Sequence, residues 1–110
     1  MIDWEDFKKV DIRTRTIIEV RDFPKAIQPA WQLKIDFGAE LGVKNSSAQI
    51  THHYQKEDLL SRQVLAVVNF PPKQIANFFS ECLVLGVADS IGEIVLIATE
   101  RKVENGEQVK

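Results

Sequence analysis

Cysteine is almost absent from this sequence of 110 residues, because Cys82 is the only one. A single cysteine cannot form an internal disulfide, and such chains are typical of a reducing compartment. No apolar run approaches the roughly 20 residues that a membrane-spanning helix needs. The N-terminus also lacks the basic start and apolar stretch of a signal peptide. We therefore expect a cytoplasmic protein without membrane insertion.

An excess of positive charge is missing as well, since the formal net charge is −2. This excludes a generally basic nucleic-acid binder of the kind that an isoelectric point alone reveals. The charge is uneven, however: residues 8–44 carry eight Lys or Arg against five Asp or Glu, and residues 76–110 carry three against six. The N-terminal half is either an ordinary mixed surface or a face for phosphates or acidic peptides.

Motifs of catalysis and metal binding are also lacking. The sequence has no Gly-rich phosphate loop and no serine in a nucleophile-elbow pattern. Its two histidines, His52 and His53, are adjacent, and adjacent strand residues point to opposite faces, so one metal ion does not easily bind both. Cys82 lies in an apolar run, where cysteine usually packs into the core. We predict no enzyme, no metal and no cofactor.

Alternating apolar and polar residues predict a mainly β structure. Asp3 is placed to cap a short helix over residues 4–9, residues 56–61 predict a helical turn, and residues 74–79 predict a short helix or turn. A long first strand covers residues 10–21, with one set of side chains on its core face: Val10, Ile12, Thr14, Thr16, Ile18 and Val20. Further strands are predicted over residues 31–37, 43–51, 63–70, 82–88 and 93–99, the last two as a hairpin.

The length of the first strand indicates the type of barrel. About twelve residues span roughly 40 Å, which exceeds the height of a small barrel, so the strand bends and serves both halves. This behaviour is typical of the OB-fold. The predicted fold is all-β: one domain over residues 1–110 that forms a five-stranded OB-fold barrel with a short N-terminal helix, additional short helices and a C-terminal extension.

Several blocks of the sequence resemble a known superfamily. Val10–Ile17, Phe23–Ala26 and Leu33–Gly38 look like the opening of the tRNA-binding domains, the OB-fold modules appended to some methionyl- and phenylalanyl-tRNA synthetases. Three more blocks resemble the CsaA-type export-related chaperones within that superfamily, and they are Gly42–Thr51, Val67–Pro72 and Phe79–Gly86. The resemblance runs over essentially the whole chain.

The resemblance implies a homodimer that exchanges its terminal elements. Here these are the Trp4–Lys9 helix, whose Trp4 and Phe7 would form the interface, and the tail beyond Arg101. Alternatively, the helix packs on its own barrel, as a short amphipathic helix can. The implied partners are unfolded or export-destined precursor polypeptides, or tRNA.

Two kinds of residue form the expected binding surface. An apolar groove for peptide is placed near Phe70, Pro71, Pro72, Phe78 and Phe79; in a strand one of the two adjacent phenylalanines is exposed, whereas in a helix both can pack inward. A polar face for a peptide main chain or RNA phosphates comprises Arg13, Arg15, Lys44, Ser46, Ser47, Gln49, Asn69, Lys73, Ser80 and Glu81. Arg15 stands where many tRNA-binding domains carry glycine. The first loop, residues 24–30, departs from the acidic-and-lysine form common in the tRNA binders, and the loss of that loop lysine and the acidic net charge weaken the expectation of tight tRNA binding.

Overall fold

The computed structural model describes residues 1–110 and consists mainly of short strands. Its longest helix has five residues, and none of its helices combines the length and the apolar character that crossing a membrane requires. In chain order the elements are α1 (Trp4–Lys8), β1 (Ile12–Asp22), β2 (Trp31–Asp36), α2 (Gly38–Leu41), β3 (Val43–Ala48), α3 (Lys56–Leu59), β4 (Gln63–Val67), β5 (Lys73–Ile75), β6 (Phe78–Ser80), β7 (Leu83–Val84), β8 (Gly86–Ala88) and β9 (Ile94–Leu96).

Five strands form an antiparallel sheet in the order β3-β2-β1-β4-β7. The sheet curls until the segment before β7 meets the outer edge of β3. There the Glu81 backbone N–H donates to the Asn45 carbonyl at 2.8 Å, and the Asn45 N–H donates to the Glu81 carboxylate at 2.9 Å. The result is a nearly closed five-stranded barrel, which confirms the predicted all-β OB-type fold.

The long first strand serves two halves of the barrel, as its length predicts. Its first part, Ile12–Thr16, pairs with β4, and its second part, Thr16–Asp22, pairs with β2. The edge of β1 that β2 leaves free is occupied by the C-terminal tail, since the Gly106 N–H donates to the Thr14 carbonyl at 2.8 Å. One strand therefore holds both halves of the sheet and the tail.

A bulge in β1 changes which residues face the core. The pairing with β2 shifts between Ile17 and Glu19, as an extra residue in one strand causes. Before the shift Arg15 and Ile17 are buried, and after it Val20 packs against the core, whereas Ile18 is 45% exposed. The prediction that residues 10–20 of even number share the core face is therefore wrong, because it assumed one unbroken alternation.

The core fills the inside of the barrel and comprises eleven buried residues: Ile17, Leu33, Ile35, Phe37, Ala48, Ile50, Tyr54, Leu59, Val64, Ala66 and Cys82. The predicted core position of Cys82 is thus confirmed. Burial raises the pKa of its thiol to about 11, so the thiol stays protonated and unreactive at neutral pH.

Two hairpins stand beside the barrel sheet. Residues 74–79 belong to the β5–β6 hairpin, in which Ile75 pairs with Phe78. Of the predicted helix or turn over these residues, the helix is wrong, and the turn is confined to residues 76–77. The hairpin around residues 89–92 is confirmed, with Val87 opposite Val95 in β8 and β9. The Asp89 carboxylate holds its turn by accepting the backbone N–H of Glu93 at 3.0 Å.

The C-terminal tail lies along its own barrel. The Thr14 hydroxyl donates to the Glu104 carbonyl at 2.7 Å, the Val109 N–H donates to the Ile12 carbonyl at 2.8 Å, and Thr14 is consequently buried. The resemblance implied a tail exchanged with a second copy. In this chain the tail saturates hydrogen-bonding groups of its own first strand, and its exchange with a second copy stays a prediction.

Candidate binding groove

An apolar groove opens where the end of β3, the Phe70–Lys73 segment and the β7–β8 segment meet. It encloses about 830 Å³ and is lined by 17 residues, nine of them hydrophobic. Phe70, with 55% of its surface exposed, forms part of one wall. A concave site that is mainly apolar and carries a few polar groups is typical of ligand binding. We refer to this feature as the groove.

Of the five residues predicted for apolar contact, the structure brings three together. Phe70, Pro71 and Pro72 line the groove, whereas Phe78 and Phe79 do not. Phe78 packs on Phe23 with the ring centroids 5.3 Å apart, and Phe79 is 54% exposed. The placement of both phenylalanines in the groove is therefore wrong.

The register of the β5–β6 hairpin explains the position of Phe79. Phe79 pairs with Gln74, and directly paired residues share one face of a hairpin. Lys73, Ile75 and Ser80 lie on the other face and line the groove. Phe79 is thus exposed on the side of the hairpin that faces away from the groove.

Two of the polar residues predicted for the ligand face accept backbone hydrogen bonds that a neighbouring strand would otherwise accept. The Ser80 hydroxyl accepts the Ser47 N–H at 3.0 Å, and the Glu81 carboxylate accepts the Asn45 N–H. These bonds satisfy the outer edge of β3, where a closed barrel would have another strand. Gln49 and Lys73 line the groove with exposed side chains, so they are its freest polar groups.

Arg15 and Ser46 are buried and cannot contact a ligand, so the prediction of an exposed role is wrong for both. The Ser46 hydroxyl donates to the Cys82 carbonyl at 2.9 Å. The Arg15 guanidinium lies over the Phe37 ring at 3.7 Å from its centroid and donates to the Thr14 carbonyl. Burial lowers the pKa of Arg15 to about 10. Arg15 lies ahead of the bulge, pairs with the buried Val64 and shares the inward face with Ile17, which no local pattern indicated.

Three further predicted polar residues lie outside the groove. Arg13 bonds the Asp11 carboxylate at 2.6 Å and donates to the Gly106 carbonyl at 2.9 Å, so it ties the tail to β1. Lys44 lies at the barrel end, with Nζ 5.9 Å from the Phe37 ring centroid. Asn69 forms hydrogen bonds with the chain between α1 and β1 through both the oxygen and the nitrogen of its side-chain amide.

The sequence did not indicate how much of the groove the β7–β9 region supplies. Leu83, Leu85, Gly86 and Ile94 line it, although all four lie in stretches that predict ordinary strands. Their apolar character was visible in the sequence. Nothing in the local pattern distinguished a residue at the barrel opening from one in the core.

A second concave surface lies beside the tail and is mainly polar. It encloses about 880 Å³ and has one hydrophobic residue, Val103, among its seven lining residues. Asn105 there accepts hydrogen bonds from Thr16 at 2.9 Å and from Gln63 at 3.2 Å. Its polar groups thus satisfy one another and attach the tail. No group of three or more His, Cys, Asp and Glu side chains could hold a metal ion.

The short helix α1 carries an uncovered apolar face. Asp3 caps it, and the capping box with Asp6 confirms the predicted start of the helix. Trp4 and Phe7 contact each other with ring centroids 5.5 Å apart, and Trp4 is 61% exposed. None of the residues of α1 is buried. The helix therefore does not pack closely on its own barrel, which was the alternative to a dimer interface.

One pair of side chains links two segments of the chain next to the groove. His53 Nε2 lies 2.6 Å from the Asp89 carboxylate, which links the turn after β3 to the β8–β9 hairpin. This bond, more than any other contact, lowers the pKa of Asp89. A carboxyl group with a lowered pKa stabilises the fold above its unfolded-state pKa of about 3.9, and this stabilisation is lost as the pH falls through the folded value.

Asp89→Asn is therefore expected to lower the urea midpoint at pH 7 and to have a smaller effect at pH 2.5. The reason is that the contribution of the wild-type carboxylate is lost progressively as the pH falls below its unfolded-state pKa of about 3.9. Urea unfolding followed by circular dichroism at both values measures this difference. Glu57→Gln is the matched control, since Glu57 is exposed and makes no side-chain hydrogen bond. A difference that persists unchanged at pH 2.5 would contradict the role of the His53–Asp89 bond.

The chain is similar to a known protein family and to several solved structures. A family model described as "Putative tRNA binding domain" matches residues 12–108. The crystal structure of a CsaA chaperone protein from Picrophilus torridus is 52% identical, covers 100% of both chains and superposes with a TM-score of 0.94. That of chaperone CsaA from Bacillus anthracis str. Ames is 47% identical, covers 100% of this chain and 99% of the other, and has a TM-score of 0.93.

A third relative is much longer. The methionine–tRNA ligase of Bacteroides fragilis is 33% identical over 109 residues, which are 99% of this chain and 16% of the ligase. This chain therefore spans about a sixth of the length of that enzyme. The family description and the two chaperones of equal length point to a binding module, although the ligase as a whole is an enzyme.

Proposed function

The chain belongs to the tRNA-binding domain family, and from this premise we propose that it is a chaperone-like member that binds unfolded or export-destined polypeptides in protein secretion. In this proposal it acts in the cytoplasm as a homodimer, without catalysis. The resemblance to the CsaA-type chaperones agrees with the two solved structures that match along the whole chain. The observation that carries the proposal is the groove, because its lining is mainly apolar.

The chemistry of the groove suits an extended polypeptide better than a nucleic acid. Exposed apolar surface gathered in a concave site binds apolar side chains by removing both from water. Phe70, Pro71 and Pro72 supply rigid apolar contacts, and Gln49 can exchange hydrogen bonds with a peptide main chain. Lys73 is the only Lys or Arg that lines the groove, which leaves little charge for a phosphate backbone.

The uncovered face of α1 supports the homodimer. The first turn of α1 carries Glu5 and Asp6, and its last turn carries Lys8. Two copies of such a helix packed antiparallel about a two-fold axis bring acidic and basic ends together and cover Trp4 on both sides. Met1 and Ile2, both exposed, extend the apolar surface. A second copy of this chain is thus complementary to this face in charge and in polarity.

Binding of tRNA is the second candidate function, and the match to the tRNA-binding family over residues 12–108 favours it. Its affinity would come mainly from Lys and Arg contacts with phosphates. Lys44 and Lys73 are the predicted cations that are accessible and not in a salt bridge. With so few cations, we expect weak tRNA binding that weakens further as salt is added.

The two candidates are separated by measuring fluorescence anisotropy with two probes, a labelled unfolded export precursor and labelled bulk tRNA, at low and moderate salt. Phe70→Ala is expected to weaken precursor binding by about tenfold, since a buried aromatic contact contributes on the order of 1–3 kcal/mol, and to leave tRNA binding unchanged. Precursor binding should survive moderate salt because apolar burial is not screened.

The matched control is Phe79→Ala. Phe79 has almost the same exposed fraction as Phe70, 54% against 55%, but lies on the opposite face of the β5–β6 hairpin from the groove. We expect wild-type affinity for both probes in this variant. Equal losses in Phe70→Ala and Phe79→Ala would contradict the groove as the peptide site. Tight tRNA binding with no precursor binding would overturn the chaperone proposal in favour of the second candidate.

A further inference from the structure

The attachment of α1 to the barrel depends on one side chain. No residue of α1 is buried, so the helix is not held by a packed core. Asn69 accepts the Asp11 backbone N–H at 3.0 Å through its side-chain oxygen. Its side-chain nitrogen donates to the Lys9 carbonyl at 2.7 Å, and Lys9 is the C-cap of α1. Asn69 thus binds the chain on both sides of the junction between α1 and β1.

The same residue immediately precedes the wall of the groove. Phe70, Pro71 and Pro72 follow Asn69 and line the groove. Two consecutive prolines restrict their own φ angles and the residue before them, so this segment is stiff. On the other side of Asn69, the Val68 N–H donates to the Asp11 carbonyl at 2.9 Å. A rigid stretch therefore runs from the groove wall to the end of the helix.

We infer that Asn69 is a positioning residue that couples the apolar face of α1 to the groove, so that peptide binding and self-association strengthen each other. This inference rests on the proposed function. With the two amide bonds of Asn69 formed, α1 is presented at one angle; with them broken, it pivots about residues 9–11. A peptide that contacts Phe70 restrains the segment next to Asn69 and favours the bonded state, in which two α1 faces can meet.

The coupling must be reciprocal, because each binding event favours the same state. A saturating apolar peptide is expected to lower the dissociation constant of the wild-type dimer by about fivefold, at the lower end of typical coupling between sites. In Asn69→Ala the dimer is expected to be about tenfold weaker, since two hydrogen bonds are lost, and the peptide should no longer change it. A merely structural role would lower stability without removing this dependence on peptide.

The experiment combines two measurements on the full chain. Sedimentation equilibrium with and without a synthetic apolar peptide gives the dimer constants. Amide hydrogen exchange gives the state of the Asn69 bonds directly, because the Asp11 N–H is one of them. In Asn69→Ala we expect exchange at Asp11 to accelerate by about tenfold, with the barrel amides of Ile17 and Leu85 unchanged.

Two further variants separate the loss of the Asn69 hydrogen bonds from a general effect of substitution. Asn69→Asp retains an oxygen for the Asp11 N–H but cannot donate to the Lys9 carbonyl; it should keep Asp11 protected and still lose the effect of peptide. Asn77→Ala is the control, because Asn77 is exposed and its side chain makes no hydrogen bond, and it should behave as wild type. If the barrel amides of Asn69→Ala also lose their protection from exchange, this variant is unfolded. The result with Asn69→Asp then decides whether the inference holds.

Different results overturn different statements. Unchanged Asp11 exchange in Asn69→Ala would overturn the inference. Wild-type dimers that bind peptide but do not tighten with it would overturn the coupling and leave the proposed function intact. A wild-type protein that neither self-associates nor binds the peptide would overturn the proposed function and, with it, the coupling.

Discussion

Replacing both Trp4 and Phe7 by alanine is expected to weaken self-association at least about a hundredfold. Aromatic residues that become buried at the centre of an interface commonly cost on the order of 2 kcal/mol each when truncated. Their contact at 5.5 Å makes them one apolar patch on α1, and a two-fold dimer loses this patch twice. Sedimentation equilibrium over a series of protein concentrations measures the change.

The fold of each chain should survive this double substitution. Trp4 is 61% exposed and α1 has no buried residue, so the barrel core is untouched and the circular dichroism spectrum should not change. Ile27→Ala is the control, since Ile27 is 97% exposed in a loop remote from α1 in sequence. A double variant that remains as dimeric as wild type would show that α1 is not the interface.

Arg15→Met is expected to raise the free energy of unfolding by about 2 kcal/mol. The guanidinium is fully buried, and its Nε and Nη2 have no hydrogen-bond partner. Replacing a buried, incompletely paired charge by an apolar side chain of similar size is often stabilising. In the wild type, stacking on Phe37 offsets only part of the free energy that desolvation of the guanidinium costs.

The lowered pKa of Arg15 also indicates that its buried charge destabilises the fold. Burial is its main cause and brings the pKa to about 10 from the ordinary 12.5, so the folded state disfavours the charged form. The destabilisation is fully present at neutral pH and fades only as the pH rises from about 10 towards 12.5. Urea unfolding at pH 7 therefore measures all of it.

Arg15→Ala provides the comparison. It removes the charge but leaves a cavity beside Phe37, so we expect it to be about 3 kcal/mol less stable than Arg15→Met. Affinity for tRNA should be the same in Arg15→Met as in wild type, because the side chain is inside the barrel. A methionine variant less stable than wild type would show that stacking and the bond to Thr14 outweigh desolvation. A loss of tRNA affinity without a loss of stability would contradict the buried position.

Local patterns predicted most of the elements. The capped helix that begins at Trp4, the hairpin around residues 89–92 and the buried position of Cys82 follow from side-chain preferences within a few residues. The barrel type followed from the length of β1. The groove was predicted in part: Phe70, Pro71 and Pro72 lie in it, because a stiff apolar segment after a strand ends at the barrel surface.

The wrong predictions share one physical origin. In a strand the identity of the buried face depends on register, and one extra residue exchanges the two faces. Because of the bulge between Ile17 and Glu19, the residues that share the core face with Val20 are odd-numbered ahead of the bulge, and Arg15 is one of them. The pairing of Gln74 with Phe79 turns that phenylalanine away from the groove. Neither register is encoded within the strand itself.

The sequence by itself determined the strands, the capped helix, the barrel class and the family, because these depend on periodicity, capping and residue blocks that are local in the chain. Only the tertiary structure decided which side chains line the groove, which cations are buried and where the tail lies. Those outcomes depend on hydrogen bonds between distant residues, such as Asn69 with Asp11 and Thr14 with Glu104. Such partners are chosen by the closure of the whole barrel.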